Sequence, residues 1–268
     1  MLIDVHAHFY HDRTPRQDWR ARNESRLRAG EQMGITLHIA SILGSWGATS
    51  PTYFPSPADL DYANRWMLDL QRASPDRIAG YVAVNPNFQR HALEQIDHYL
   101  GEGMLGIKLA ASRRADDPLL DPVCRAAADH HVPILHHVWQ HRGRDRPGQE
   151  ASDAVELVAL AERHPDTNFI LAHIAGGGDW LHSLRAVRGV GNVHVDLSGS
   201  GVDGGMLEAC LEAVGVGRLV WGADITLDTG LAKLRHLEHL LSAEDMARIR
   251  WQNAAVLFGL PPATETAS

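Results

Sequence analysis

The sequence predicts an α/β fold, a (β/α)8 TIM barrel formed by a single domain. Short apolar runs alternate along the chain with longer amphipathic segments, which is typical of parallel strands joined by helices. Eight such pairs can be counted, and a length of 268 residues is normal for a closed barrel of this kind.

The first member of each pair is a short run rich in Val, Ile and Leu, which indicates a buried strand. The eight strands are expected at Leu2–Val5, Thr36–Leu43, Ile78–Val84, Gly106–Leu109, Pro133–His137, Asn168–His173, Val193–Leu197 and Leu219–Gly222. An open doubly wound sheet is the alternative. That fold usually carries a glycine-rich dinucleotide-binding turn after its first strand, whereas here the first strand runs into the letters HAHF.

The second member of each pair has apolar residues at helical spacing. Helices are expected at Ser25–Met33, Ala58–Ala73, Gln89–Gly101, Pro122–His131, Ser152–Arg163, Asp179–Val187, Gly205–Val214, Gly230–Leu241 and Ala243–Phe258. Gly259 and the prolines beyond it stop the last helix. Because no linker or internal repeat interrupts the pattern, we expect one domain over residues 1–260 and a disordered tail over residues 261–268.

Composition narrows the class of partner. A formal net charge of −8 argues against nucleic acid and anionic membranes, which require a concentrated basic surface. No apolar run approaches the ~20 residues of a membrane helix. The two cysteines fit a reducing compartment, and the chain enters its first strand without a signal-like segment. We therefore expect a cytoplasmic protein that binds a small molecule.

Histidines at strand ends predict a metal site. His6 and His8 are two residues apart on a strand, so their side chains point to the same side. Such a pair is weak evidence alone, but four other strand ends carry residues suited to metal chemistry: Lys108 in GIKLA, His137 in PILHHVW, His173 in FILAHIAGG and Asp224 in LVWGADI. A barrel gathers all its strand ends around one mouth, so these residues can meet there.

This set of motifs resembles the amidohydrolase superfamily, and more narrowly its amidohydrolase 2 branch, which includes aminocarboxymuconate semialdehyde decarboxylase and related decarboxylases and hydrolases. The segment PILHHVW is similar to the branch's PVxxHPW segment, and this selects His137 rather than His136 as the ligand. Val138 stands where the branch has proline. AHIAGG, NVHVDLSG, WGADI and NAAVLFGL also have counterparts, so the resemblance spans nearly the whole chain.

The resemblance implies that His6, His8, His137 and Asp224 bind one metal ion and that His173 hydrogen-bonds the water or substrate there. Three imidazoles and a carboxylate suit zinc, with manganese, iron or cobalt as alternatives. The catalytic residues are then Asp224, which takes and passes on a proton, and His173, which stabilises an oxyanion or shuttles a proton. Related barrels often pair, so a homodimer is an expectation as well.

Two further residues at the mouth are open to different interpretations. In members of the superfamily with two metals, a lysine after strand four is carboxylated and bridges them, with the strand-six histidine as a ligand of the second metal. Lys108 has this role, or it is an uncarboxylated cation near the substrate, or its stem is buried with its amine in water. Trp139, like Trp46, forms a wall of the pocket or belongs to ordinary packing.

Several polar residues near the strand ends have both structural and functional interpretations. His136 and His38 are expected to be packed and hydrogen-bonded away from the mouth. Asp4 either orients neighbouring backbone or a ligand imidazole, or it caps the strand. Asp196 and Ser198 either reach the mouth or satisfy loop amides.

The function predicted first is hydrolysis of an amide, lactone or ester by metal-activated water. The alternative is metal-dependent, non-oxidative decarboxylation of an unsaturated or aromatic carboxylic acid, which uses nearly the same ligands. A barrel without activity that serves as a binding protein is the third hypothesis. Five loop arginines, more simply explained as solvated residues, leave room for a carboxylate-bearing substrate: Arg113, Arg114, Arg142, Arg144 and Arg146.

Overall fold

The computed structural model describes residues 1–140 and 148–261. The predictions made for Arg142, Arg144 and Arg146, and for the tail after Pro261, lie outside these residues. The strands are β1 Ile3–His8, β2 Leu37–Ser41, β3 Ile78–Val84, β4 Gly106–Leu109, β5 Ile134–His136, β6 Phe169–Leu171, β7 Val193–Asp196 and β8 Leu219–Val220. The helices are α1 Trp19–Gln32, α2 Pro57–Ala73, α3 Gln89–Gly101, α4 Asp121–Asp129, α5 Ala154–Arg163, α6 Trp180–Val187, α7 Met206–Val214, α8 Leu227–Leu240, α9 Ala243–Ala247 and α10 Asn253–Leu257.

The eight strands are parallel and pair in the order of the sequence, from β1 to β8. The last strand returns to the first: the N–H of Val5 donates to the carbonyl of Trp221 (3.1 Å), and the N–H of Asp224 donates to the carbonyl of His6 (2.6 Å). The predicted (β/α)8 barrel is therefore confirmed. Each strand end opens onto the same mouth, and the loops that follow the strands surround it.

Two apolar layers hold the barrel together. The larger lies between the strands and the surrounding helices. The smaller fills the lower part of the barrel and is formed by Ile3, Val5, Ile39, Ala79, Tyr81, Leu135, Ile170, Ala172 and Val220. Leu257 and Phe258 from the end of the chain pack against this inner layer and close the bottom of the barrel. The lower end is thus a dry core, and polar groups are left to the mouth.

Helix α1 begins at Trp19 rather than at the predicted Ser25. The residues that it buries, Asn23, Arg26 and Gly30, are not apolar, so hydrophobic spacing does not reveal its first turns. The predicted last helix is present but contains one π-helical turn, Arg248–Gln252, between α9 and α10. None of the described helices is both long and apolar enough to cross a bilayer.

Candidate metal centre

An irregularity in β1 aims its histidines at the mouth. The pairing of β1 with β2 shifts register between Asp4 and Ala7. Val5 belongs to the inner apolar layer, yet the next side chain, His6, also points into the barrel, where it meets Lys108. A bulge allows two consecutive residues to face one side, and alternation then places His8 on the side of His6.

Five predicted site residues form one connected group at the mouth. One donor atom each from His6, His173 and Asp224 lies within 4.8 Å of the others, and within the described part of the chain this is the one such set. Nε2 of His8 is 3.2 Å from Oδ1 of Asp224. Nδ1 of His137 is 2.9 Å from Nε2 of His173. The structure therefore brings together all four predicted ligands and places His173, predicted as their catalytic neighbour, in the tightest group.

The donor set fits a divalent cation. Nε2 of His137 is buried without a hydrogen-bond partner. Nδ1 of His8 faces the carbonyl and hydroxyl of Ser41, at 3.2 and 3.1 Å, which leaves its Nε2 for another partner. Metal–ligand bonds of about 2.0–2.2 Å place two donor atoms roughly 3–4 Å apart, and the 3.2 Å between Nε2 of His8 and Oδ1 of Asp224 lies in that range. The assignment of His6, His8, His137 and Asp224 as ligands stays a prediction.

The protonation states of the group also suit a cation. Burial lowers the pKa of His173 to about 3, and it lowers the pKa of His6 and His137 well below the usual range. Burial alone would raise the pKa of Asp224, but the neighbouring His173, followed by His8 and His6, brings it below its ordinary value. Neutral imidazoles and an ionised carboxylate are the forms that bind a metal ion.

Lys108 is buried inside the barrel mouth. Its side chain is 1% exposed, so its amine does not reach water as one of the interpretations required. Nζ lies 3.0 Å from Nε2 of His6, and burial lowers the pKa of this lysine to about 8. The amine is therefore part of the polar centre.

Asp196 orients His6. Its Oδ2 is 2.7 Å from Nδ1 of His6, and the N–H of Ser198 donates to its Oδ1 at 2.9 Å. The hydroxyl of Ser198 donates to Oδ2 as well. Burial raises the pKa of Asp196 to about 6, against the effect of these hydrogen bonds from Ser198. A carboxylate behind a ligand histidine fixes the ring and leaves the opposite nitrogen for the metal. Of the two alternatives left open for Asp196, the structure favours the one at the mouth.

Asp4 supports the centre from outside the barrel. Its Oδ1 accepts from the N–H of His6 at 3.1 Å, and its Oδ2 accepts from Arg26 at 2.6 Å and lies 3.0 Å from Nδ1 of His38. Arg26 also donates to the carbonyl of Asp224 at 2.5 Å. The sequence did not indicate Arg26, because a charged residue in a helix is usually solvated. His38 is packed and hydrogen-bonded away from the mouth, as expected.

The backbone at two site residues is strained. His173 has φ of +62° and Asp224 has φ of +52°, in the left-handed region that non-glycine residues rarely adopt. Such conformations persist where the surrounding structure holds them, and they are frequent at functional sites. The hydrogen bond from Arg26 to the carbonyl of Asp224 is one of the contacts that hold this turn.

Aromatic rings stand against two of the predicted ligands. The ring of Trp46 is 5.2 Å from that of His8. Trp139 and Tyr53 lie 4.7 and 5.0 Å from His137. Trp139 is thus beside the centre, where one of its interpretations put it, whereas Tyr53 was not predicted because only the folded loop brings it there.

A cavity of about 390 Å³ opens beside His8, between α1 and the loop after β8. Its lining includes His8, Tyr10, Arg22, Arg26 and Ile225. Cavities of this size accommodate small molecules. Two of the five loop arginines are engaged elsewhere: Arg113 pairs with Glu150 and Asp117, and Arg114 with Asp116 and Glu156.

With the site described, the chain can be compared with known proteins. The family model for amidohydrolases matches residues 3–260. The chain belongs to the amidohydrolase family. The predicted resemblance and the prediction of an enzyme are therefore confirmed, and the hypothesis of a barrel without activity loses its support. No curated protein sequence matched the chain.

Solved structures with the same fold include three decarboxylases. A dihydroxybenzoic acid decarboxylase from a Polaromonas species, with bound manganese and the inhibitor 2-nitroresorcinol, is 17% identical with a TM-score of 0.75, and the match covers 98% of each chain. A 2,6-dihydroxybenzoate decarboxylase from Rhizobium is 18% identical (TM-score 0.73; 97% of this chain, 98% of that one). A 5-carboxyvanillate decarboxylase from Sphingomonas paucimobilis is 16% identical (TM-score 0.72; 97% and 99%). At these identities the likeness shows the shared barrel.

Proposed function

We propose that the enzyme removes CO2 without oxidation from a small aromatic carboxylic acid, with the help of a bound divalent cation. The observation that carries this proposal is the group of His6, His8, His137, His173 and Asp224 at the mouth, which offers nitrogen and carboxylate donors to one cation. The names of the three decarboxylases favour this reaction over hydrolysis. A cavity of about 390 Å³ next to His8 has room for a single substituted ring.

The reaction replaces a carboxylate on carbon by hydrogen, so one proton must reach that carbon as the C–C bond breaks and CO2 leaves. A bound cation would supply a Lewis acid for the oxygens of the substrate. Nδ1 of His173 lies 3.4 Å from Oδ2 of Asp224, so these two groups can pass a proton between them. Because Asp224 is ionised and His173 neutral at rest, the proton enters with the substrate or from solvent.

The cation has two leading candidates. Three imidazoles and a carboxylate suit zinc, our first expectation. The Polaromonas enzyme and a 5-carboxyvanillate decarboxylase from Novosphingobium aromaticivorans were crystallised with manganese. We propose a single ion. Elemental analysis of protein purified without chelator gives its identity and its stoichiometry.

The function is tested by incubating metal-loaded protein with a panel of hydroxybenzoates and, in parallel, with lactones, amides and esters. We expect CO2 release from at least one hydroxybenzoate, loss of the activity on chelation, and its return with metal. Asp224→Asn should be inactive even where it retains metal. Hydrolysis of a lactone, amide or ester without CO2 release from any acid would contradict the proposal.

The role of His173 needs a test of its own because its donor atom lies as close to Asp224 and His6 as a ligand would. We expect His173→Asn to keep its metal and to lose turnover, as a proton-transferring neighbour would. Loss of stoichiometric metal in this variant, with its fold intact by circular dichroism, would instead make His173 a ligand.

Hydrolysis of an amide, lactone or ester remains the second candidate, and Lys108 is the observation that favours it. Its buried amine lies 3.0 Å from Nε2 of His6, where a carboxylated lysine could bridge two cations as in two-metal members of the superfamily. Two ions per chain, together with an intact mass increased by one CO2 at Lys108, would support this function. One ion per chain and an unmodified lysine would exclude the bridge.

A further inference from the structure

The loop that follows β2, residues 44–57, spans the mouth of the barrel. Trp46, near its start, packs against His8 at the end of β1, with ring centroids 5.2 Å apart. Tyr53, seven positions later in the loop, packs against His137 after β5, at 5.0 Å. Strands one and five lie on opposite sides of an eight-stranded barrel. One loop therefore supplies an aromatic ring to each side of the metal centre.

Asp59, in the first turn of α2, accepts hydrogen bonds from three hydroxyls of this loop. The hydroxyl of Thr49 donates to its Oδ1 at 2.6 Å, and the hydroxyl of Ser45 donates to its Oδ2 at 3.1 Å. Ser50 donates to Oδ2 as well. Partial burial alone would raise the pKa of Asp59, but the hydrogen bonds from Ser50 and Thr49 outweigh it and lower the pKa. The ionised carboxylate thus binds three hydroxyls of the loop. Ser45 is next to Trp46, and Thr49 and Ser50 lie between Trp46 and Tyr53.

The backbone of the loop requires such support. Trp46 has φ of +53°, a left-handed conformation that costs a non-glycine residue free energy. Its indole N–H donates to the carbonyl of Phe9 at 3.2 Å, which fixes the ring beside His8. Gly44, also left-handed, sits against Pro55: a Cβ atom at Gly44 would be 2.7 Å from Cβ of Pro55. The two ends of the loop are therefore packed together.

We propose that Asp59 is a positioning residue that holds residues 44–57 across the mouth, so that Trp46 and Tyr53 flank a substrate where it reaches the metal centre. The cavity beside His8 is itself lined by other residues. This inference rests on the proposed function. Aromatic side chains bind a planar ring by stacking or edge contacts. The hydrogen bonds of Asp59 go to the loop and to the helix cap, so it acts through the loop.

Asp59 also lies in the first turn of α2, where Ser56 caps the helix by accepting from the N–H of Asp59 at 3.2 Å. This offers a matched control. Ser56→Ala weakens the same helix end and removes the smallest of four hydroxyl contributions to the carboxylate of Asp59, but it leaves the hydroxyls of Ser45, Thr49 and Ser50 on Asp59. Asp59→Asn and Asp59→Ala release the loop.

The test uses metal-loaded protein and three measurements: chymotrypsin cleavage after Tyr53, equilibrium binding of 2-nitroresorcinol, and KM and kcat on any acid that is turned over. For the Asp59 variants we expect cleavage to be at least about tenfold faster. The Kd of 2-nitroresorcinol and the KM should each rise about tenfold. The metal content should be unchanged and kcat within about threefold. Ser56→Ala should behave as wild type in all of these measurements.

The inference is overturned if the Asp59 variants resist cleavage and bind the ring as wild type does, or if Ser56→Ala reproduces their effects. These outcomes do not depend on catalysis. If wild type binds 2-nitroresorcinol but releases CO2 from no acid, the proposed reaction fails while the role of Asp59 is still decided by cleavage and binding.

Discussion

Gly222 offers the sharpest test of how the metal centre is built. It lies two residues after β8 and directly behind His6 and Asp196. A Cβ atom added there would be 2.8 Å from Cβ of His6 and closer still to Oδ1 of Asp196, whereas ordinary contacts begin at 3.4 Å. In Gly222→Ala, His6 or the strand end must therefore move by about 0.6 Å, the difference between these two distances. Sites of this kind tolerate displacements of roughly 0.5 Å.

Two magnitudes follow for this variant. Overpacking a tight site costs about 1–3 kcal/mol, which in a domain of this size lowers Tm by roughly 2–12 °C. Disturbing the hydrogen bond between His6 and Asp196 should weaken metal binding about 10- to 100-fold, the usual effect of losing such a support. Calorimetry of the metal-free protein measures the first effect, and titration against a chelator of known affinity measures the second.

The matched control is Gly191→Ala, because Gly191 is exposed and its added Cβ would meet nothing within 4 Å. We expect this control to keep its metal affinity and to change stability by less than about 1 kcal/mol. If Gly222→Ala matches the control in both Tm and metal affinity, then His6 and Asp196 are not held in the arrangement described, and the reasoning is refuted.

Three further predictions concern buried groups. Asp196→Asn should weaken metal binding about 10- to 100-fold while leaving the far-ultraviolet circular dichroism unchanged; unchanged affinity would remove its orienting role. Burial raises the pKa of Cys210 to about 12 and raises that of Cys124 further. Neither thiol should therefore react with a thiol reagent at pH 8 until the protein unfolds. Rapid reaction of the native protein would contradict their burial. Burial lowers the pKa of Lys233 to about 8, below the 10.5 of an unfolded chain. Between these two pH values the unfolded state holds more protons than the folded state. The free energy of unfolding of wild type should therefore rise with pH relative to that of Lys233→Met. Urea unfolding at pH 7.5, 8.5 and 9.5 measures this difference, and a constant gap between the two proteins would exclude it.

The residues that meet at the mouth could be predicted because strand ends are visible in the sequence. His137, His173 and Asp224 each follow an apolar run, and a barrel brings all such positions to one mouth. The spacing of His6 and His8 was weak evidence alone, and it became a prediction together with the other strand ends. That spacing did not reveal the bulge, which turns both rings inward directly after the inward-facing Val5.

The supporting residues could not be predicted, because their partners are distant in the sequence and their own surroundings look ordinary. Arg26 lies in a helix with polar residues on its buried side, and its role depends on Asp4 and on the carbonyl of Asp224. Asp59 follows Ser56 and Pro57 as an acidic residue normally does in a first helical turn. The signal that could have marked it is the cluster of hydroxyl residues just before that helix.

The metal centre and the closure of the barrel depend on the same atoms. Oδ1 of Asp4 accepts from the N–H of His6 on β1 and from the N–H of Ala223 after β8, so it joins the first and last strand ends directly below the donors. The N–H of Asp224 completes this closure by donating to the carbonyl of His6. A substitution that weakens these contacts between the ends of β1 and β8 should therefore weaken both the fold and metal binding. The loop of residues 44–57 takes no part in these contacts and has its own hydrogen bonds to Asp59. Its aromatic residues can therefore change, and with them the substrate, while the metal centre stays intact.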